Sequence, residues 1–309
     1  MNEYFDIIIV GGGPAGLTAA LYARRAGKSV LVLEKAGIGG QIASSPRVEN
    51  FPAVPGVSGA ELADRLYRQA EALGARIELE EVLEVQNGAP KTVVTDYAAY
   101  SCAALILATG MTHRTLGLPG EDTLSGISFC AVCDGAFYEN RSVAVCGGGN
   151  TALQDALFLA DLCRRVTLIH RRDTFRGDPI LLKALKKREN VTLLPETVID
   201  ALQGRDGALT GLTLRDLRTG EEPLLAVDAL FEAVGQTPES ALARALAVAD
   251  DGGFIPAGED CRTGADGIFA AGDCRCKAVR QLTTACADGA VAAIAACSYC
   301  DREGTIPSA

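Results

Sequence analysis

The clearest pattern along the chain is a short apolar run followed at once by glycines. Residues Ile7–Val10 are all β-branched, which is typical of a strand buried on both faces of a parallel sheet. Apolar side chains then recur at helical spacing through Leu17–Leu21, until Gly27 ends the predicted helix. A second apolar run, Val30–Leu33, follows. The pattern predicts a strand, a helix and a second strand.

The same pattern returns 136 residues later, counted from Gly11 to Gly147. The apolar run Val143–Cys146 precedes glycines, and Val166–Ile169 forms the next apolar run. Between them lies a helical stripe of four apolar side chains, namely Leu153, Ala156, Leu157 and Ala160. Two such units predict an α/β fold with two dinucleotide-binding, Rossmann-like domains of three layers each.

Composition agrees with two domains and limits the classes of partner. The chain has 309 residues, of which 48% are apolar and 22% charged, and its net charge is 29 − 39 = −10. This acidity argues against nucleic acid or an anionic membrane as the main partner. Eleven cysteines in a chain of this length form no disulfide scaffold. Without a basic region before the first apolar run, we expect a cytoplasmic protein.

The first glycine motif predicts a nucleotide site. Gly11, Gly13 and Gly16 occupy the three positions of the dinucleotide fingerprint, which places a pyrophosphate at a helix N-terminus. Glu34 ends the following strand, 18 residues beyond Gly16. Its carboxylate would accept hydrogen bonds from a ribose and repel a 2′-phosphate. The motif therefore predicts FAD or NAD.

The second motif carries the opposite charge. Gly147, Gly149 and Ala152 occupy the fingerprint positions. The strand that follows leads into a basic group made of His170, Arg171, Arg172 and Arg176. Guanidinium groups suit a phosphate monoester, at about 1.5–3 kcal/mol for each charge-assisted hydrogen bond, which predicts NADPH. The alternative is a solvated basic strand end. A flavin site beside an NADPH site indicates hydride transfer between the two cofactors.

A cysteine pair lies between the motifs. Cys130 and Cys133 have the C-x-x-C spacing of a dithiol that closes into a small disulfide ring. Asp134 follows directly and is a candidate proton donor to a leaving thiolate, or alternatively a turn residue before Gly135. The competing interpretation is half of a zinc site. Its other half would have to come from Cys274 with Cys276, or from Cys297 with Cys300.

Several further stretches occur in an order that is typical of one family. They are Gly39-Gly40-Gln41, Val48–Pro52, Ala108-Thr109-Gly110, Gly267–Asp273, Arg280-Gln281, Thr284 and Asp288-Gly289-Ala290. With the C-x-x-C-D-G segment between two fingerprints, the sequence resembles, over nearly its whole length, the low-molecular-weight, bacterial-type thioredoxin reductases, which are FAD-dependent pyridine nucleotide-disulfide oxidoreductases.

The resemblance implies a discontinuous layout. Residues 1–114 and 244–309 would form the FAD-binding domain, and residues 115–243 an inserted NADPH-binding domain that carries the cysteine pair. Linkers at Leu116–Pro119 and Gly235–Pro238 would act as hinges. Because the disulfide and the nicotinamide site share one domain, rotation of that domain would let each reach the flavin in turn.

The resemblance also implies roles for individual residues. Cys133 would face the flavin, Cys130 would attack the disulfide of thioredoxin or a related dithiol protein, and Asp134 would be the acid. The implied FAD-binding residues are Gly11, Gly13, Pro14, Ala15, Gly16, Glu34, Gly40, Gln41, Asn50, Thr109, Gly110, Gly272, Asp273, Arg280 and Gln281. The implied NADPH-binding residues are Gly147, Gly149, Asn150, Thr151, His170, Arg171, Arg172 and Arg176. We expect a homodimer and no metal.

Some positions depart from the family pattern. Asn150, Thr151 and Gln154 stand where many members carry Asp, Ser and an acid. Ala136 replaces a frequent Phe in the implied partner-docking patch. Three other functions stay open: a reductase fed by ferredoxin, against which the arginines argue, a reductase of a peroxiredoxin system, and a non-catalytic redox sensor.

Overall fold

The computed structural model describes residues 2–303 except 46, 49 and 55, so Glu49 of the Val48–Pro52 stretch lies outside the described residues. The chain divides into two compact units, one formed by residues 1–112 and 237–309 and the other by residues 113–236. The division predicted from the sequence lay at 114/115 and 243/244. The strands Met111–His113 and Gln236–Pro238 pair with each other, and the chain passes between the units inside this two-stranded sheet.

The first unit begins with the helices and strands that precede the inserted unit. In chain order they are β1 (Glu3–Val10), α1 (Pro14–Arg25), β2 (Val30–Leu33), α2 (Gly59–Ala72), β3 (Arg76–Glu78), β4 (Val82–Gln86), β5 (Lys91–Thr95), β6 (Ala99–Leu107) and β7 (Met111–His113). A 3-10 helix covers Gly40–Ser44.

The inserted unit follows. Its elements are β8 (Ile127–Ser128), α3 (Ala131–Asp134), β9 (Ser142–Cys146), α4 (Asn150–Leu162), β10 (Arg165–Ile169), α5 (Pro179–Leu185), β11 (Val191–Leu194), β12 (Thr197–Arg205), β13 (Ala208–Asp216), β14 (Leu224–Ala226) and β15 (Ala229–Glu232). The first unit then resumes with β16 (Gln236–Pro238), α6 (Ala241–Ala245), β17 (Ile268–Ala270) and α7 (Leu282–Glu303).

Each unit is built on a sheet with a set of parallel strands, which confirms the predicted α/β fold with two Rossmann-like domains. In the first unit the pairings β4–β5 and β5–β6 are antiparallel. In the first unit the strand order is β3-β2-β1-β6-β5-β4, and β17 also pairs with β6. In the inserted unit the order is β11-β10-β9-β15-β8, with every pairing parallel. The antiparallel strands β12, β13 and β14 form a separate three-stranded sheet. Each glycine motif follows the first strand of its unit's βαβ segment, at the carboxyl edge where such sheets bind ligands.

Helix α7 packs along α1 as a core helix. A Cβ at Gly289 would lie 2.1 Å from the Ala15 carbonyl oxygen, so only glycine permits this approach. Beyond it, Ala292, Ala293 and Ala296 are fully buried. Within α7 the segment Leu282–Arg302 is long and apolar enough to cross a membrane, but half of its apolar window is buried inside the structure.

Candidate functional site

The glycines of the first motif have two different tasks. A Cβ at Gly16 would lie 1.9 Å from the Gly11 carbonyl oxygen, and one at Gly11, whose φ is +113°, would lie 2.3 Å from the Ala108 carbonyl oxygen. These two glycines therefore allow β1, α1 and β6 to meet. Beside Gly13 the nearest atom to a Cβ is 3.9 Å away, and α1 begins without a side-chain cap. This leaves the N-terminal turn open to an anion.

Glu34 is held at the end of β2 by main-chain donors. Its Oε2 accepts a hydrogen bond from the Gly12 N–H at 2.7 Å, and its Oε1 accepts one from the Ala36 N–H at 2.9 Å. Each carboxylate oxygen keeps a further lone pair for a ribose hydroxyl. The Glu34 carboxylate therefore lies at the end of the second strand, as the sequence predicted.

A cavity of about 290 Å³ runs along this edge of the first unit. It is lined by most of the sequence-predicted FAD residues, namely Gly11, Gly13, Pro14, Ala15, Glu34, Gly40, Gln41, Thr109, Gly110, Gly272 and Asp273. A neighbouring cavity of about 140 Å³ shares Gly11, Glu34 and Thr109 with it. Sequence reasoning missed Lys35 and Glu239, which line both cavities and form a 3.1 Å ion pair.

Asp273 supplies an unused acceptor in this cavity. Its Oδ1 is buried and accepts no hydrogen bond from any described residue, although Lys277 Nζ lies 3.3 Å away. Burial raises the pKa of Asp273, while the charge of Lys277 opposes this shift. The contact with Lys277 is an ion pair without hydrogen-bond geometry, so this oxygen is still able to accept a hydrogen bond from a hydroxyl-bearing ligand. The cavity thus fits a dinucleotide with a polyol chain such as FAD.

Four predicted FAD residues do not line the cavity, and one of them is Gly16, which packs against Gly11 instead. Asn50 Nδ2 donates a hydrogen bond to Gln281 Oε1 at 3.2 Å, so these two side chains contact each other. The Arg280 guanidinium lies 4.5 Å from the centroid of the Phe254 ring. Its Nε is 3.4 Å from the Asp273 carbonyl oxygen, which places Arg280 beside the cavity without reaching into it.

The second motif repeats the geometry of the first. A Cβ at Gly147 would lie 2.4 Å from the Ala233 carbonyl oxygen, whereas nothing lies within 4 Å of one at Gly149. Helix α4 begins at Asn150, again without a side-chain cap. The Asn150 Oδ1 accepts from the Asp178 N–H at 2.6 Å, and Thr151 is exposed. The approach to this helix N-terminus is open.

The basic group after β10 splits into two kinds of residue. Arg171, Arg172 and Arg176 are exposed and form no ion pair with any described residue. His170 is buried, its Nε2 lies 3.1 Å from the Thr174 carbonyl oxygen, and burial lowers its pKa. The imidazole is therefore neutral and packs against Gly148. The three guanidinium groups are the ones available to a phosphate.

Cys130 and Cys133 are joined in a disulfide with Cα atoms 5.3 Å apart. Cys130 is the N-cap of α3, and its Sγ accepts a hydrogen bond from the Cys133 N–H at 3.2 Å. Because the sulfurs are bonded to each other, neither is a zinc ligand here. Among the described residues no group of three or more His, Cys, Asp or Glu side chains could hold a metal.

Asp134 is half-buried beside the disulfide segment. Its Oδ2 accepts a hydrogen bond from Ser128 Oγ at 2.7 Å, and the same Oγ accepts one from the Cys130 N–H at 3.1 Å. Burial raises the pKa of Asp134, while the Ser128 hydrogen bond opposes the shift. Sequence reasoning missed Ser128, which lies two residues before the pair and joins it to the acid.

The other nine cysteines are free. Cys274, Cys297 and Cys300 are buried, and Cys276 is exposed with its Sγ 3.2 Å from Asp250 Oδ2. Burial raises the pKa of Cys300 to about 12. Partial desolvation of the thiol and its hydrogen bond with the Asp250 carboxylate raise the pKa of Cys276 to about 11. Thiols with such pKa values are poor nucleophiles at neutral pH.

Comparisons with known proteins agree with this geometry. The model of the pyridine nucleotide-disulphide oxidoreductase family matches residues 5–289. The thioredoxin reductase of Treponema pallidum is 42% identical over 306 residues, covering 97% of this chain and 99% of that protein. The enzyme of Mycolicibacterium smegmatis is 43% identical over 294 residues, covering 94% of each.

A solved structure is similar over the same length. The thioredoxin reductase of Streptococcus pyogenes superposes with a TM-score of 0.92 at 37% identity, covering 98% of this chain and 100% of that one. Motifs, fold and relatives thus agree across both units. The chain belongs to the pyridine nucleotide-disulphide oxidoreductase family and, within it, to the thioredoxin reductases.

Proposed function

We propose that this chain passes electrons from NADPH through FAD and the Cys130–Cys133 disulfide to the disulfide of a thioredoxin. The observation that carries the proposal is the disulfide itself, whose Cys130 is the N-cap of α3 and which is flanked by a half-buried acid. It lies in the unit that has the open, arginine-flanked nucleotide motif, while the other unit has an acid-ended motif.

The residues of the first unit bind and orient the flavin cofactor. The N-terminus of α1 receives the pyrophosphate, Glu34 a ribose, and the buried Asp273 Oδ1 a hydroxyl of the polyol chain. When bound, FAD supplies a carrier that takes up an electron pair from NADPH and returns it to a disulfide. In the inserted unit, Arg171, Arg172 and Arg176 bind the 2′-phosphate that distinguishes NADPH from NADH.

The cysteine pair exchanges its electrons with the partner by two thiolate attacks. The Cys130 thiolate attacks one sulfur of the partner disulfide, which forms a mixed disulfide and releases a partner thiolate. The Cys133 thiolate then attacks Cys130 Sγ, re-forming the intramolecular disulfide and releasing the second partner thiolate. The pair is oxidised and the partner reduced by two electrons. Asp134 supplies a proton to a leaving thiolate, since its raised pKa keeps the acid form populated at higher pH.

Two neighbouring functions differ from this one only in donor or partner. A ferredoxin-fed reductase has no use for the three exposed guanidinium groups. A reductase of a peroxiredoxin system would share all the chemistry above and differ in the docked protein. A non-catalytic sensor would need neither cofactor turnover nor partner reduction. A cytoplasmic location and a homodimeric state stay predictions from the sequence.

A coupled assay tests the proposal. FAD-loaded protein is mixed with NADPH or NADH, and flavin bleaching and thioredoxin reduction are followed separately. We expect fast bleaching by NADPH and thioredoxin turnover in the wild type. Cys130→Ser should bleach but not reduce thioredoxin, and Cys276→Ser, at an exposed free cysteine, should behave as wild type. Bleaching without any thioredoxin reduction by the wild type would favour another partner, and preference for NADH would overturn the role of the arginines.

A further inference from the structure

Two carboxyl groups outside the redox site lie together at the end of β15. Glu232, its last residue, is 3% exposed, and its Oε1 accepts no hydrogen bond from any described residue. Its Oε2 accepts a hydrogen bond from the same backbone N–H, that of Leu116, as Glu121 Oε1, so the two carboxyl groups lie side by side. A hydrogen bond between two carboxyl groups requires a proton on one of them.

Both carboxyl groups bind the same piece of backbone. The Leu116 N–H donates to Glu121 Oε1 at 2.6 Å and to Glu232 Oε2 at 3.1 Å. The Leu118 N–H donates to Glu121 Oε2 at 2.8 Å. Residues 116–118 follow closely after the unit boundary at 112/113. The pair thus ties residues 116–118 to β15, which lies next to β9, the strand that leads into the nucleotide motif.

No cation among the described residues pairs with either carboxyl group. On β9 the group facing them is the Cys146 thiol, which is opposite Glu232 in the sheet register and feels the charges of Glu232 and Arg171. On the linker, Arg114 lies against Gly235. Loss of a shared proton would therefore place a second negative charge directly beside the first.

The two groups differ in their affinity for the proton. Burial, the hydrogen bond with Glu121 and its charge raise the pKa of Glu232 to about 8. Burial alone would raise the pKa of Glu121, but its hydrogen bonds with Glu232 and with the linker N–H groups lower it. Of the two carboxyl groups, Glu232 therefore binds the proton more strongly.

We propose that Glu121 and Glu232 share one proton and form a latch that holds residues 116–118 against β15 within the inserted unit, and that the latch opens when this proton is lost. Without the proton, the two carboxylates repel each other and the hydrogen bond between them is gone, so both move away from the shared Leu116 N–H. The latch acts on the linker whatever the partner protein is, and in this it goes beyond the proposed function.

Amide hydrogen exchange on the full-length, FAD-loaded protein tests the latch. In the wild type, exchange of the Leu116 and Leu118 amides, corrected for the intrinsic pH dependence, should accelerate by about tenfold or more between about pH 6 and about pH 9.5. Glu232→Gln keeps the shape and a donor toward Glu121 but cannot ionise, so its corrected exchange should be independent of pH. Glu222→Gln, at an exposed carboxylate of the same unit, should keep the wild-type acceleration.

Infrared spectroscopy gives a second readout that does not depend on exchange. A protonated carboxyl band should be present in the wild type at neutral pH, disappear in alkali, and be missing in Glu232→Gln. A flat wild-type exchange profile, or an acceleration that survives in Glu232→Gln, would overturn the latch. The wild-type profile and band decide the question even where the variant folds poorly.

Discussion

If the guanidinium groups after β10 bind the 2′-phosphate as proposed, their removal should weaken the preference for NADPH. Arg171, Arg172 and Arg176 are exposed and unpaired among the described residues, so removing them disturbs no internal contact. We consider the double variant Arg171→Gln and Arg172→Gln. The 2′-phosphate is absent from NADH, so the loss should fall on NADPH alone.

The magnitude follows from exposure. A charge-assisted hydrogen bond contributes about 1.5–3 kcal/mol when it is shielded from water, but solvent screening reduces an exposed pair to about 1 kcal/mol. Two lost guanidinium groups therefore remove about 2 kcal/mol, which corresponds to about a 30-fold rise in the NADPH dissociation constant. NADH binding should change by less than about threefold. The difference should shrink at high salt, because these charges are screened.

The assay is cofactor titration under anaerobic conditions, with NADPH and NADH compared on the same preparation. Arg165→Gln is the matched control, since Arg165 is exposed at the opposite end of β10. It should leave both cofactors unaffected. Equal weakening of NADPH and NADH in the double variant, or the same loss of NADPH in the control, would refute the assignment of the phosphate site.

Three further predictions follow from the geometry. Gly16→Ala should lower the free energy of unfolding by about 1–3 kcal/mol in chemical denaturation, because its Cβ would lie 1.9 Å from a carbonyl oxygen. Gly149→Ala should leave the free energy of unfolding unchanged and weaken NADPH binding in a cofactor titration. Asp134→Asn should slow thioredoxin reduction in stopped flow by about 10²-fold and abolish its decline as pH rises through the raised pKa of the acid. The pKa of Glu232 is about 8 in the folded protein, against an ordinary value of 4.5. As the pH rises between these two values, the free energy of unfolding of the wild type should therefore fall relative to that of Glu232→Gln in urea titrations.

The sequence predicts the parts of the site that are local in the chain. Gly11, Gly13 and Gly16 are recognisable because a strand–turn–helix junction needs them within six residues, and the pair Cys130–Cys133 because its spacing closes a small ring. Ser128 is only two residues away from the pair, yet no pattern marks its bond to Asp134. That contact depends on where β8 places a hydroxyl in three dimensions.

The pattern of apolar and polar residues did not predict contacts between distant parts of the chain. Lys35 and Glu239 are 204 residues apart and meet only because both line the dinucleotide groove. In the same way, Glu232 reads as the polar end of an apolar strand, and its pairing with Glu121 appears only in the folded unit. The family pattern also identified Asn50 and Gln281, whose side chains are hydrogen-bonded to each other in the structure, and their role beside the flavin stays a prediction.

The direction of the chain through α3 makes the two sulfurs unequal. Cys130 precedes the helix, so its Sγ accepts the Cys133 N–H, whereas Cys133 lies within the helix and is given no equivalent donor by any described residue. A hydrogen bond to a sulfur stabilises the thiolate over the thiol. After reduction the negative charge should therefore reside mainly on Cys130, the sulfur assigned to attack the partner. Asp134, held by Ser128 in the same short segment, then supplies a proton without competing for that N–H.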